Sequence, residues 1–105
     1  KDGNFFLQIS IDDIAVLQSE GNYLIIKSGN KEYRYRTTIK KILEILPTDK
    51  FIQTHRAFII QKKFVVKHSS LTVTVGATEI PISQGKKDEV LAKLNAISKF
   101  KTGAR

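Results

Sequence analysis

Three sets of side chains in this sequence could carry chemistry: two histidines, a pair of adjacent aspartates, and a run of cations. His55 and His68 are too few to close a tetrahedral metal site, and the chain has no cysteine to complete one. Asp12 and Asp13 would point to opposite faces of an extended chain, so a shared acid–base role is not expected. No P-loop sequence is present. We therefore expect no enzyme, no metal site and no cofactor.

The cations form a one-signed stretch. No acidic residue occurs between Asp49 and Glu79, whereas five cations fall there, namely Lys50, Arg56, Lys62, Lys63 and Lys67. The chain as a whole has a formal net charge of +8 and a pI near 9.8. Such a field attracts polyanions, of which nucleic acid is the commonest and an anionic membrane surface the next. Charge alone leaves open a basic protein that has no polyanionic partner.

Length and composition indicate one globular domain over residues 1–105, with a core between about 5 and 100. Hydrophobic residues make up 41 %, and no run approaches the ~20 apolar residues of a membrane span. The amino terminus does not resemble a signal peptide, so we expect a cytoplasmic protein. The missing initiator methionine suggests a fragment of a longer chain, although removal of a tag would look the same.

Short strands separated by turns account for most of the sequence. In the strand expected at residues 32–36, Tyr33 and Tyr35 share one face and Arg34 and Arg36 the other, because side chains alternate along a strand. A proline cannot donate to a ladder, so the strand containing Pro81 should lie at a sheet edge. Apolar and β-branched residues predict strands at 5–9, 15–19, 23–27, 32–36, 51–54, 58–60, 64–68, 71–75 and 78–82.

Two helices complete the prediction. The first covers about residues 37–46, with Thr37 or Thr38 as its cap and Pro47 ending it. The second covers about residues 86–99, with the apolar stripe Val90, Leu91, Leu94 and Ile97. The predicted fold class is mainly β with one or two short helices.

Four motifs occur in an order that matches a known family. The central one is F-x-x-x-H-R-x-F-I-I at residues 51–60, preceded by Leu46-Pro47 and followed by I-P-I-S at residues 80–83. Upstream lie Asp13-Ile14 and E-G-N-Y at residues 20–23. Over about residues 9–94 the chain thus resembles the LytTR-type DNA-binding domain of bacterial response regulators, a family of transcriptional regulators.

The resemblance implies an elongated, ten-stranded β fold without a helix-turn-helix. Its loops would enter successive major grooves of double-stranded DNA and touch the minor groove between them. The contact segments would be the Asn22-Tyr23 loop, the His55-Arg56 corner and the loop from Ser83 to Lys87. The resemblance also implies direct-repeat sites, a homodimer on DNA, and a receiver or sensor domain missing from these residues.

The residue types in the first two segments suit such contacts. Asn22 can read adenine bidentately, or it can be a turn residue that tolerates left-handed geometry. Arg56 can reach guanine, enter a narrow minor groove or clamp a phosphate. His55 is expected to brace the corner and bind a phosphate. If the following stretch is extended, only one of Lys62 and Lys63 can face DNA, and we expect Lys62 to do so.

The third segment departs from the family pattern. Ser83, Lys86 and Lys87 lie at a helix start, where free N–H groups favour a phosphate, although Ser83 can equally be a helix cap. The family commonly has Arg where this chain has Gln84. Gln84 can read adenine instead of guanine, or Lys86 can substitute with less geometric selectivity. We therefore expect a target sequence that differs from that of Arg-bearing members.

The alternative is a basic, β-rich module that binds RNA or an anionic surface. RNA modules stack bases on aromatic side chains of a sheet face. Here the candidates are Tyr33, Tyr35, Phe58 and Phe64, which can instead belong to the core.

Overall fold

The computed structural model describes the backbone of residues 9–97 and the side chains as far as Leu94. Within this range, neither helix has the length and apolar composition of a membrane span. Short 3-10 turns precede β1, β6 and α2. The elements in chain order are β1 (Ile14–Glu20), β2 (Tyr23–Ser28), β3 (Lys31–Tyr35), α1 (Ile39–Leu43), β4 (Phe51–His55), β5 (Phe58–Gln61), β6 (Val65–His68), β7 (Thr72–Val75), β8 (Thr78–Pro81) and α2 (Lys87–Ile97).

The predicted mainly-β fold class is confirmed. All eight strands predicted between residues 15 and 82 are present, with ends that shift by at most one residue. The strand predicted at residues 5–9 lies, apart from Ile9, outside the described residues. The described part of the chain therefore contains eight strands, compared with the ten that the resemblance implied.

The strands form two antiparallel sheets. The first has five strands in the order β3-β2-β1-β5-β4, and the second has three in the order β6-β7-β8. As predicted from Pro81, β8 is an edge strand. Beyond it the backbone N–H of Ser83 donates to the carbonyl oxygen of Thr54 at 2.9 Å, which joins the exit of β8 to β4.

Both faces of the five-stranded sheet are covered. Ile59 and Ile60 are consecutive residues of β5, and each has 0 % exposed surface. Because successive side chains of a strand point to opposite faces, the two can be buried together only if each face has its own cover. This double burial explains why β5 begins with the apolar run Phe58-Ile59-Ile60 and does not alternate.

Each face has its own apolar cluster. One joins the sheet to α1 and the turn after it, through Ile14, Leu17, Leu24, Ile26, Ile39, Leu46, Phe51 and Ile59. The other joins it to the three-stranded sheet and α2, through Val16, Ile52, Ile60, Val73, Val75, Ile80, Ile82, Val90 and Leu94. Burying such a side chain stabilises the fold by roughly 1.5–3 kcal/mol before the loss of chain entropy.

The first helix is shorter than predicted. The Thr38 hydroxyl accepts from the Lys41 N–H at 3.1 Å and caps α1, which ends at Leu43 instead of Leu46. Turns continue the chain, with the Leu46 N–H donating to the Ile42 carbonyl at 3.1 Å. The apolar residues of this segment face the core, where Ile39 and Leu46 are buried and Ile42 and Leu43 pack against them. In α2, Val90 and Leu94 are buried and Leu91 is half-buried.

Candidate nucleic-acid interface

The strand directions place two predicted contact turns at the same end of the five-stranded sheet. β1 ends at Glu20, immediately before the turn that contains Asn22, and β5 begins at Phe58, immediately after the turn that contains Arg56. β1 and β5 are antiparallel neighbours, with Gln18 in register with Phe58. The end of one strand therefore lies beside the start of the other. We call this end of the sheet the Asn22 end.

A hydrogen bond fastens the two turns together. The Ser19 N–H donates to the Ala57 carbonyl at 2.8 Å, one step beyond the Gln18–Phe58 pair. Ser19 lies three residues from Asn22, and Ala57 is the neighbour of Arg56. The side chains of Asn22 and Arg56 are both exposed. Two predicted base-reading residues thus project from linked turns.

The Asn22 turn is a two-residue hairpin loop between Glu20 and Tyr23. Gly21 has φ +62°, and no non-glycine residue of the described range has a positive φ. This pattern, positive φ at the first loop position alone, is that of a type II′ turn. Gly21, and not Asn22, takes the left-handed conformation. The alternative explanation of Asn22, a turn residue that tolerates left-handed geometry, therefore does not apply.

The His55-Arg56 corner is held by the histidine ring. The Ala57 N–H donates to Nδ1 of His55 at 3.1 Å, and the ring meets Phe58 edge-on with centroids 5.8 Å apart. Because Nδ1 accepts, the neutral ring carries its proton on Nε2. His55 therefore braces the corner, as predicted, and keeps one N–H for a ligand. Arg56 lies at the tip of the turn.

The third segment begins at the same end and then leaves it. At its first residue, the backbone N–H of Ser83 donates to the carbonyl oxygen of Thr54, the neighbour of His55. The Ser83 side chain makes no capping hydrogen bond. Gln84 is exposed. Lys86 is half-buried in a groove of about 150 Å³ that it shares with Phe51, Gln53 and Glu89. Lys87 is the first residue of α2 and is also half-buried.

Lys62 is not brought to the Asn22 end. β5 runs away from Arg56, and Lys62 follows its last residue, with the Lys62 N–H donating to the Lys50 carbonyl at 2.9 Å. The condition under which only one of Lys62 and Lys63 could face DNA, an extended stretch, is not met, because Lys62–Phe64 forms a 3-10 turn. The stretch lies at the opposite end, which we call the Lys62 end.

The aromatic residues do not form a base-stacking platform. Phe58 and Phe64 pack against one core cluster and Tyr33 against the other, while Tyr35 is exposed. The predicted contact residue Tyr23 is exposed, and the guanidinium of Arg34 lies 5.0 Å from the centroid of the Tyr23 ring. The stacking candidates are thus mostly core residues.

Sequence reasoning missed the end of β3. Leu24 is in register with Tyr35, which places the exit of β3 at the Asn22 end as well. The sequence shows that Arg34 and Arg36 alternate with Tyr33 and Tyr35. It does not show that the two arginines lie at the Asn22 end, because that depends on which strand β3 pairs with and in which register.

The family described as the LytTr DNA-binding domain matches residues 5–95, most of the chain. The chain belongs to this LytTR family. Membership makes it a DNA-binding domain by family, in agreement with the resemblance of its motifs. The family is one of DNA-binding domains and not of enzymes. No protein among the curated ones matches this LytTR domain significantly.

A solved structure has the same fold as this LytTR domain. It is the LytTr DNA-binding domain of a Bacillus cereus protein described as a methyl-accepting/DNA response regulator. The two share 16 % sequence identity with a TM-score of 0.76, over 90 % of this chain and 92 % of that one. At this identity the likeness concerns the fold.

Proposed function

We propose that this LytTR domain binds double-stranded DNA sequence-specifically, with the Asn22 turn and the His55-Arg56 corner inserted into grooves. The observation that carries the proposal is the Ser19–Ala57 hydrogen bond, which holds the two exposed turns side by side. Duplex grooves are read by side chains that a rigid scaffold presents in a fixed relation. A sheet buried on both faces is such a scaffold.

The chemistry assigns each residue a role. Asn22 reads adenine through paired donor and acceptor groups, and Arg56 reads guanine or occupies a narrow minor groove. His55 offers its Nε2–H to a phosphate. Further along, Gln84 contacts a base edge. The remaining contacts are to the DNA backbone, from Tyr23, Ser83, Lys86 and Lys87.

The third segment would read DNA differently from the same segment of relatives that have an arginine there. Gln84 pairs bidentately with adenine, whereas an arginine at that place would pair with guanine. Lys86 is a point charge without the planar fork of a guanidinium, and it lines a groove together with Phe51 and Gln53. This chain should therefore prefer a different target from Arg-bearing relatives.

We further propose that the domain is the output half of a cytoplasmic response regulator, whose receiver or sensor domain lies outside these residues. The Bacillus cereus protein with the same fold is described as a response regulator. Two copies would bind direct repeats as a homodimer. Titration of duplexes with one or two half-sites should then give two-site cooperativity only on the longer duplex.

Selection from randomised duplexes tests the proposed function. A specific domain should enrich one sequence and bind it about 10³-fold or more tightly than random duplex. Single-stranded RNA is the informative competitor, because salt dependence is common to both kinds of nucleic acid. If RNA displaces the protein better than the selected duplex does, or no sequence is enriched, the RNA-binding or surface-binding alternative replaces the proposal.

A further inference from the structure

The exit of β3 lies beside the Asn22 turn. Leu24 pairs with Tyr35 and Ile25 with Arg34, so Arg36 leaves the sheet at the level where β2 begins. Its side chain is exposed, and no carboxylate of residues 9–94 lies within ion-pair distance of it. A second exposed guanidinium, that of Arg56, projects from the neighbouring turn at this end of the sheet.

Arg34 is tied to the same end through two adjacent strands. Its guanidinium lies 5.0 Å from the ring centroid of Tyr23 in β2, and its Nη1 donates to Oε1 of Glu20 in β1 at 3.3 Å. Glu20 and Tyr23 flank the two-residue turn that contains Asn22. The side chains of Arg34 and Glu20 are 57 % and 60 % exposed, so water screens their ion pair and a competing anion can replace it.

The charge at this end is strongly one-signed. The segments that meet there, residues 20–23, 34–36 and 55–57, contain a single carboxylate, that of Glu20. Against it stand three arginines, Arg34, Arg36 and Arg56. Guanidinium groups suit phosphate because their fork donates two parallel hydrogen bonds.

We infer that the end of β3 is a fourth DNA-contact segment, in which Arg34 and Arg36 bind phosphate oxygens of the duplex. In the free protein Glu20 holds Arg34 over Tyr23, and a phosphate takes the place of that carboxylate when DNA is bound. The inference rests on the proposed function, since it assigns residues to the same DNA-binding end. Both contacts position the domain and do not read sequence.

Arg36→Ala tests the first part, with Lys31→Ala as the matched control. Lys31 is an exposed cation at the other end of the same strand. Arg36→Ala should weaken binding roughly three- to tenfold, equally on the selected and the random duplex, and lower the salt slope by about one. Lys31→Ala should leave the salt slope unchanged. Equal effects of the two variants would mean that only net charge matters, which overturns the inference.

Glu20→Gln tests the second part, alone and combined with Arg34→Ala. If the carboxylate competes with phosphate for Arg34, Glu20→Gln should tighten binding roughly two- to fivefold, and this gain should fall toward none when Arg34 is absent. The inference fails if the gain is the same in both backgrounds, or if Glu20→Gln weakens binding. These failures leave sequence selection intact, whereas a domain that selects no duplex refutes the proposed function itself.

Discussion

The hydrogen bond from the Ser19 N–H to the Ala57 carbonyl, at 2.8 Å, links the strand that leads into Asn22 to the turn that carries Arg56. The two residues are separated by more than thirty positions in the sequence, and no local motif connects them. The bond adds one rung between β1 and β5 beyond their last paired residues. It fixes the spacing between two turns that both point away from the core.

Arg56→Ala should weaken binding to the selected duplex by about 1–3 kcal/mol and relax the preference at a single base position. The physical reason is the loss of paired hydrogen bonds to a base edge. Fluorescence anisotropy against single-base variants of the site measures both effects. Lys63→Ala is the control, an exposed cation at the Lys62 end that should change no base preference. Uniform weakening on every duplex would make Arg56 a phosphate contact.

His55 should be found as the Nε2–H tautomer, because its Nδ1 accepts the Ala57 N–H. Nitrogen chemical shifts of the ring report the tautomer directly. His55→Ala should reduce the free energy of unfolding by about 0.5–1.5 kcal/mol, the usual worth of one such hydrogen bond.

His55→Asn separates the two roles of the histidine. Asparagine can accept the same N–H with its side-chain oxygen in an Asx turn, but it lacks the distal ring N–H. The variant should keep most of the stability and lose DNA affinity. Full affinity in a stable His55→Asn variant would rule out a phosphate contact from Nε2.

Gly21→Ala and Gly29→Ala form a matched pair. Both glycines have a positive φ, +62° and +64°, and an added Cβ meets nothing within 4 Å at either, so each substitution strains only the backbone. Each should cost about 1–2 kcal/mol of stability in chemical denaturation. Only Gly21→Ala should also weaken DNA binding, because Gly29 lies in the hairpin at the Lys62 end. Equal binding losses would show that the turn at Gly21 is not a contact.

Gln61→Leu should destabilise the domain by about 1–3 kcal/mol. Gln61 is 1 % exposed, and its amide donates to the carbonyls of Ile14 at 2.7 Å and Ile11 at 3.1 Å. Leucine keeps the volume but leaves those carbonyls without the donor. Gln53→Leu, on the neighbouring strand where the side chain is half-buried, is the control and should change stability by less than about 0.5 kcal/mol. Urea unfolding measures both variants, and an unchanged stability in Gln61→Leu would contradict a stabilising role for these two hydrogen bonds.

Local patterns were sufficient for the strands and insufficient for the site. Alternation and turn glycines are properties of neighbouring residues, so the ladder segments could be predicted from them. Lys62 was predicted to be a contact residue, and the structure places it away from the Asn22 and Arg56 turns. Four residues of β5 carry the chain about 13 Å from the Arg56 turn, and no composition signal reveals that distance.

The end of β3 is a segment to which the sequence assigned no role. Arg34 and Arg36 were predicted to share a face, but no role followed, because the strand order β3-β2-β1 is a long-range property. The motif order of the family supplied the Asn22 and His55-Arg56 segments, which strand periodicity alone does not mark. The position of Arg34 and Arg36 could not be predicted in the same way, because it depends on strand pairing.

The double cover of the five-stranded sheet separates folding from recognition. Its stability resides in side chains such as Ile59 and Ile60, which no nucleic acid can reach. Residues at the exposed turns, such as Asn22 and Arg56, contribute little packing. Under the proposed function, substitutions there alter target preference at almost no thermodynamic cost to the scaffold, so new regulatory targets can evolve on an unchanged core.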